Sequence, residues 1–365
     1  MPSLLRTALC CLGLAATALF AAPPPPDFLS PEVTADGQVT LRFYAPHARA
    51  VAVQGLRGRP AQPMSRDAAG LWSVTLSGLP ADLYTYTFDV DGATALDPRN
   101  RAIKKWLRAE SVFEVPAKPA AIYAVQPVPH GVLHRHTYAS AAAGRETAFQ
   151  VYTPPGYDPR ATRRYPVVYL LHGFGDDETA WAENGRACAI ADNLIAAGQL
   201  APVIIVMPNG HPQPAPLVRP DDFFERNVAA MQRALLTEVL PTVEQSYAVD
   251  AQPARRAIVG LSMGGGQALE IGLLHPELFQ WIGGFSSATP TGDLAAKFPR
   301  LQPATAPRLL WVGIGRDDFL LQRNEAFASW LRQQQIPFTW HLTDGGHEWT
   351  VWRAYLVTFL GRTFR

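Results

Sequence analysis

The chain has 365 residues, enough for two or three domains at ~100–200 residues each. Hydrophobic residues at 48% and charged residues at 17% exclude a disordered chain and allow a large packed core. With 32 Lys and Arg against 31 Asp and Glu, the net charge of +1 excludes the basic excess of a nucleic-acid binder, so no nucleic-acid partner is expected.

Arg6 precedes an apolar run over residues 7–20, followed by the small residues Ala21 and Ala22. A basic start, a stretch too short to span a bilayer and a small-residue exit read as a signal peptide over residues 1–22. Cleavage would fall after Ala18 or Ala22, leaving a secreted or periplasmic protein. No later stretch reaches the ~18 uninterrupted apolar residues of a membrane helix, so no span is expected once the signal is removed. The prolines at 23–26 form a stiff spacer. Of the three cysteines, only Cys188 lies beyond the signal, in an Ala-rich helical stretch where it reads as a small buried hydrophobe.

Residues 28–115 read as closely spaced strands. Val39, Leu41 and Phe43 alternate with polar residues; residues 50–53 and 71–76 supply further strands. Tyr84, Tyr86, Phe88 and Val90 alternate again and end at Asp91-Gly92, a favoured tight hairpin turn. No long amphipathic helix interrupts them. The expectation is a small all-β, immunoglobulin-like sandwich. Trp72, Tyr84, Tyr86 and Trp106 could stack on sugar rings, but the alternation of Tyr84 and Tyr86 with Phe88 favours a core role.

Residues 116–129 are rich in Pro and Ala and read as a linker. Over residues 130–365 strands and helices alternate. The apolar runs at 167–171, 203–207, 257–260 and 309–314 have the composition of strands buried on both faces of a parallel sheet. Met231, Leu235, Val239, Val243 and Tyr247 recur every fourth residue, a helix in which Pro241 should introduce a kink. This is the pattern of a three-layer α/β domain.

Gly260-Leu261-Ser262-Met263-Gly264 fits G-x-S-x-G, after an apolar strand and before a helical run toward His275. A sharp turn there would hold Ser262 exposed at the carboxyl end of the sheet, as a nucleophile requires. A serine hydroxyl needs a base, and in this arrangement the partners follow in the order Ser, acid, His. His347 lies in a loop after the strand-like residues 337–342, placed to reach Ser262. Asp317 and Asp318 follow the strand at 309–314, where either acid could orient the imidazole. His172-Gly173-Phe174 sits at the end of the strand at 167–171, so the Phe174 and Met263 amides are the expected oxyanion donors. Trp181 and Trp349 each follow one of these loops and are expected to wall the substrate pocket. His134 and His136 share a strand face without Cys or carboxylate companions, so no metal and no other cofactor is expected.

These blocks resemble the esterase D-like family of bacterial feruloyl and acetylxylan esterases. The similarity lies in LLHGFGDDETAW at 170–181, VMPNGH at 206–211, GLSMGG at 260–265 and GGHEWTVW at 345–352. Upstream, SPEV at 30–33, YAP at 44–46 and LYTYTFDVDGATALDP at 83–98 are similar to the early-set domain of glycogen-branching-enzyme type fused before many such esterases. The resemblance implies an α/β-hydrolase fold and a catalytic triad of Ser262, Asp318 and His347. It selects Asp318 because the family pattern Gly-x-x-Asp-x-Leu matches residues 315–320, leaving Asp317 to face solvent or pair with Arg316. It implies a serine carboxylic-ester hydrolase that removes feruloyl or acetyl groups from plant polysaccharide, oligosaccharide or aryl esters. Enterochelin esterases and mycolyltransferases share the catalytic fold and the serine block, so a siderophore esterase is the second reading. A glycan-binding protein with an inactive hydrolase domain is the third.

Overall fold

The computed structural model describes residues 26–212, 218 and 220–364; the signal segment lies outside them. From residue 32 to 115 the strands form two facing antiparallel sheets. Val39–Tyr44 and Leu71–Leu76 lie at the centre of a four-stranded sheet. Asp82–Val90 lies at the centre of a six-stranded one, between Val51–Gln54 and Glu110–Val115. Alternation is what makes the sandwich: Val39, Leu41, Val53, Tyr84, Tyr86, Phe88 and Phe113 all turn inward and are almost wholly buried. The Asp91-Gly92 turn has positive φ at both residues (51° and 90°), as a two-residue hairpin with right-twisted strands demands. The Asp91 carboxylate fixes the turn by accepting the amides of Arg49 and Ala50. Trp72 and Tyr86 are core residues; the Trp72 indole N–H donates to the Ala45 carbonyl and the Tyr86 hydroxyl to Asp97.

The remainder builds one eight-stranded sheet. Its strands are β1 (Val132–Ser140), β2 (Arg145–Thr153), β3 (Val167–Leu171), β4 (Ile204–Pro208), β5 (Arg256–Leu261), β6 (Trp281–Phe285), β7 (Leu309–Gly315) and β8 (Thr339–Thr343). Their spatial order is β1-β2-β4-β3-β5-β6-β7-β8, with β1 and β2 antiparallel to their neighbours and the rest parallel. Both faces are covered, so these strands read as solid apolar runs. Val167, Tyr169 and Leu171 of β3 pack into one core, with Met231 of helix Phe223–Ala234 and Leu269 of helix Ser262–Leu274. Val168 and Leu170 face the other, with Ile190 of helix Ala187–Ala196 and Tyr355 of helix Trp349–Leu360. The fold is the three-layer α/β-hydrolase architecture.

The helix that carries Pro241 is continuous but not uniform. Met231, Leu235, Val239 and Val243 are all buried along one continuous face. The helix Phe223–Ala234 passes through a π-turn at Leu235–Val239 before resuming as Leu240–Ser246. Proline then occupies the first turn of the resumed helix, where its missing N–H costs little, and the irregularity in the helix lies in the π-turn just before it. Cys188 lies within helix Ala187–Ala196 against the second core, and burial pushes its thiol up to about 12.

The sandwich is locked to the α/β sheet by charges. Asp82, only 1% exposed, pairs with Arg353 and Arg57 and accepts from the Thr350 hydroxyl. Arg353 also donates to the Asn184 carbonyl at 2.9 Å. Burial lowers the Arg353 pKa from its ordinary value, opposed by the Asp82 charge. Removing one partner of such a pair strands the other in a dry site. Asp82→Ala is therefore expected to lose about 3–5 kcal/mol, read as a lower urea midpoint. An unchanged midpoint would mean that Arg353 finds water or another partner once Asp82 is gone.

Candidate active site

Strand β5 ends at Leu261 and a helix starts at Ser262, with no intervening loop. The turn forces Ser262 to φ 52°, a left-handed conformation that non-glycine residues rarely hold. The flanking glycines allow it by steric absence: a Cβ on Gly264 would lie 2.3 Å from the His172 carbonyl oxygen. One on Gly260 would lie 2.5 Å from the Gly264 backbone. Strand, helix and the β3 loop therefore meet closer than side chains permit, and the Ser262 hydroxyl is carried to the carboxyl end of the sheet.

His347 comes from the loop between β8 and helix Trp349–Leu360, and its Nε2 is 2.9 Å from Ser262 Oγ. Its Nδ1 is 2.9 Å and 3.1 Å from the two carboxylate oxygens of Asp318, three residues past β7. Burial pushes the Asp318 pKa up, but the His347 hydrogen bond and charge, with the Leu320 amide, hold it below the ordinary aspartate value. A carboxylate on Nδ1 leaves Nε2 as the acceptor for a serine proton. Asp317 is exposed on the neighbouring position, and Arg316 pairs with Asp344, not with Asp317. Phe319 packs against the imidazole at 4.5 Å between centroids, and Trp352 meets it edge-on at 4.9 Å.

The loop after β3 is held by neutral histidines. His172 Nδ1–H donates to the Gly173 carbonyl at 2.8 Å, and its Nε2 accepts the Gly210 amide at 2.7 Å. His211 Nε2 accepts the Gly175 amide at 2.9 Å. Burial lowers the pKa of both rings, His211 to about 3. Met263 lies in the first turn of its helix, where amides have no intrahelical acceptor.

These histidines make stability pH-dependent. In the unfolded chain His211 takes up a proton near pH 6.5, whereas in the fold it does so only near 3. Between those values the unfolded state binds more protons, so stability falls as pH falls and is fully present above 6.5. From pH 7 to pH 5 the expected loss from His211 is about 2 kcal/mol. Urea unfolding at the two pH values measures it, and His211→Gln should flatten the difference; equal midpoints in the unaltered chain would contradict it.

Ser262 and His347 open on a cleft of about 410 Å³. Trp349 lines it, with Phe174, Phe319 and Trp352. Trp181 does not: it is 1% exposed, donates its indole N–H to the Leu171 carbonyl and meets Trp349 edge-on at 5.2 Å. The expected pocket wall at Trp181 is corrected to a buried support behind Trp349. The sandwich supplies the opposite wall through Arg57, Tyr84, Lys104 and Trp106; of these, sequence reading named Tyr84 and Trp106 as possible ligand-stacking residues but missed Arg57 and Lys104. It also missed Asp176, a buried acid on the same cleft whose carboxyl burial pushes up to about 7. Among the described residues no group of three or more His, Cys, Asp or Glu side chains is arranged to hold a metal, and no helix is long and apolar enough to cross a membrane.

Comparison with known proteins adds to this geometry. The family model described as Putative esterase matches residues 140–363, and that of carbohydrate-binding module 48, the isoamylase N-terminal domain, matches residues 29–103. An endo-1,4-beta-xylanase/feruloyl esterase of Xylanibacter ruminicola is 31% identical over 348 residues, covering 92% of this chain; this chain spans 46% of that protein, about half its length. The CE1 ferulic acid esterase of Anaeromyces mucronatus, solved with ferulic acid, is 26% identical with a TM-score of 0.58, covering 66% of this chain and 93% of that one. The enterobactin esterase of Shigella flexneri has the same fold, with a TM-score of 0.62 and 20% identity, covering 89% of this chain and 92% of its own.

Proposed function

The chain belongs to the esterase family, and from that premise we propose a secreted serine hydrolase that removes feruloyl or related aromatic acyl groups from plant polysaccharide or oligosaccharide. One observation carries the reading: Asp318, His347 and Ser262 stand in a hydrogen-bonded line that opens on an aromatic cleft. In the proposed division a β-sandwich over 28–115 and a linker over 116–129 precede a catalytic domain over 130–365.

Ser262 Oγ attacks the ester carbonyl while His347 Nε2 takes its proton. The carbonyl oxygen becomes an oxyanion between the Phe174 and Met263 amides. As the ester C–O bond breaks, His347 returns the proton to the departing sugar oxygen. Water then attacks the acyl-enzyme, giving its proton to the same nitrogen, and Ser262 leaves with that proton as the acid departs. Asp318 holds the imidazole in the needed tautomer and stabilises its charged form.

The aromatic walls favour a planar acyl group over acetyl, because flat rings bury most of their surface there. The relative named a feruloyl esterase and the structure solved with ferulic acid support the same choice. The test is hydrolysis of methyl ferulate, an aryl acetate, acetylated xylan and a catecholate triester side by side. A higher kcat/KM for methyl ferulate is the expected result. Preference for acetylated xylan would move the substrate to acetyl esters, and preference for the triester would move it to siderophores.

A further inference from the structure

We infer that Trp106, in the β-sandwich, is a positioning residue for the oxyanion site of the α/β domain; this rests on the esterase reading of Ser262 and the Phe174 amide. Each peptide of the loop after β3 can be followed to what fixes it. The Gly173–Phe174 peptide carries the donor N–H, and its carbonyl accepts from His172 Nδ1–H at 2.8 Å and from the Asp176 amide at 3.3 Å. The next peptide, Phe174–Gly175, is gripped at both ends. Its N–H donates to His211, and its carbonyl accepts the Trp106 indole N–H at 2.9 Å.

That last bond comes from a different domain. Trp106 sits at the tip of a hairpin whose strands, Ile103–Lys104 and Glu110–Val115, pair antiparallel at the edge of the sandwich. The Lys104 ammonium lies 5.2 Å from the centre of the indole ring and its Nζ 3.6 Å from Glu110, which holds both hairpin and ring in place. A second observation is steric. Gly175 has φ +86°, and a Cβ there would lie 2.6 Å from Trp106 Nε1 and 2.8 Å from Leu107. The loop thus gives up a side chain where the indole docks. A glycine in that conformation has no rotational stiffness of its own, so the plane of the Phe174–Gly175 peptide is set by what it bonds. Without the indole N–H that peptide is held only at its amide, Phe174 as a whole is freer to shift, and the donor N–H it carries spreads over a wider range of positions.

An oxyanion donor acts only from its aligned position, and losing one outright costs about 10²–10³ in kcat. Trp106→Phe keeps a flat ring in the cleft and deletes the hydrogen bond together with the indole edge that meets Gly175. The full chain carrying it should lose about 10- to 100-fold in kcat on methyl ferulate. KM should change by less than about threefold, as expected for an interaction felt in the transition state and not in the ground state. An aryl trifluoromethyl ketone, which adds Ser262 Oγ and places an oxyanion in the hole, should weaken by the same factor as kcat. Ferulate, a ground-state ligand, should bind unchanged. Trp106 is 43% exposed at a hairpin tip, so thermal melts should agree within a few degrees. An unchanged kcat, or a raised KM with ketone and ferulate weakened equally, would overturn the inference and leave Trp106 a wall of the cleft. Fluorophosphonate labelling of the unaltered chain separates this from failure of the premise: no label on Ser262 would sink the nucleophile, whatever Trp106 does.

Discussion

Ser262→Ala is expected to lower ester hydrolysis by at least about 10³-fold while the protein stays folded. Among the described residues the hydroxyl's one side-chain hydrogen bond is to His347 Nε2, and that ring is partly exposed, so the substitution strands no fully buried group. Alanine carries the same Cβ into the φ 52° turn, so the strain there is unchanged. The remaining rate would come from oxyanion binding and substrate positioning alone. The check is steady-state kinetics beside a thermal melt, with mass spectrometry of the fluorophosphonate adduct. Ser286 and Ser287 lie nearby but are wholly buried, so a probe discriminates among the three. A variant retaining a tenth of the rate, or a label on another serine, would remove Ser262 from the mechanism.

Asp318→Asn should reduce kcat by about 10⁴-fold. Asparagine can turn its amide NH₂ toward His347 Nδ1, making that nitrogen the acceptor and moving the ring proton to Nε2. Nε2 then cannot receive the Ser262 proton, although every atom keeps its position. Asp317→Asn should change kcat less than about tenfold, because Asp317 is exposed and its backbone amide, which bonds Gly345, is retained. Parallel kinetics from pH 5 to 9 separate a lost tautomer from a shifted optimum. If Asp317→Asn were the severe variant, the acid would be its neighbour.

What could be read in advance follows from how far each signal travels along the chain. G-x-S-x-G is a local statement: Gly260 and Gly264 are needed because backbone passes within a side chain's reach on either side of Ser262. The strands of the α/β sheet were legible because burial on two faces leaves uninterrupted apolar runs. Trp181 was misread because its distance from His172 along the chain says nothing of direction. A short helix, Ala180–Glu183, turns the indole back beneath β3. The π-turn before Pro241 was not legible, because the apolar face runs through it at unbroken spacing. The sandwich wall of the cleft was illegible for a deeper reason. Arg57, Tyr84, Lys104 and Trp106 come to line the cleft of Ser262 only through domain docking, and no periodicity encodes that.

The close approach of Trp106 to Gly175 also constrains how this protein can vary. A side chain added at 175 would occupy the volume of the indole, and a small residue at 106 would leave that volume empty. Either change alone is unfavourable, and because Gly175 holds φ +86° a side chain there stays strained even when position 106 is small. Position 106 lies on the sandwich and position 175 on the loop after β3, yet the indole and the glycine should be retained together. A chimera that joins this β-sandwich to the hydrolase domain of a relative would therefore carry half of a matched contact, unless the loop containing Gly175 travels with it.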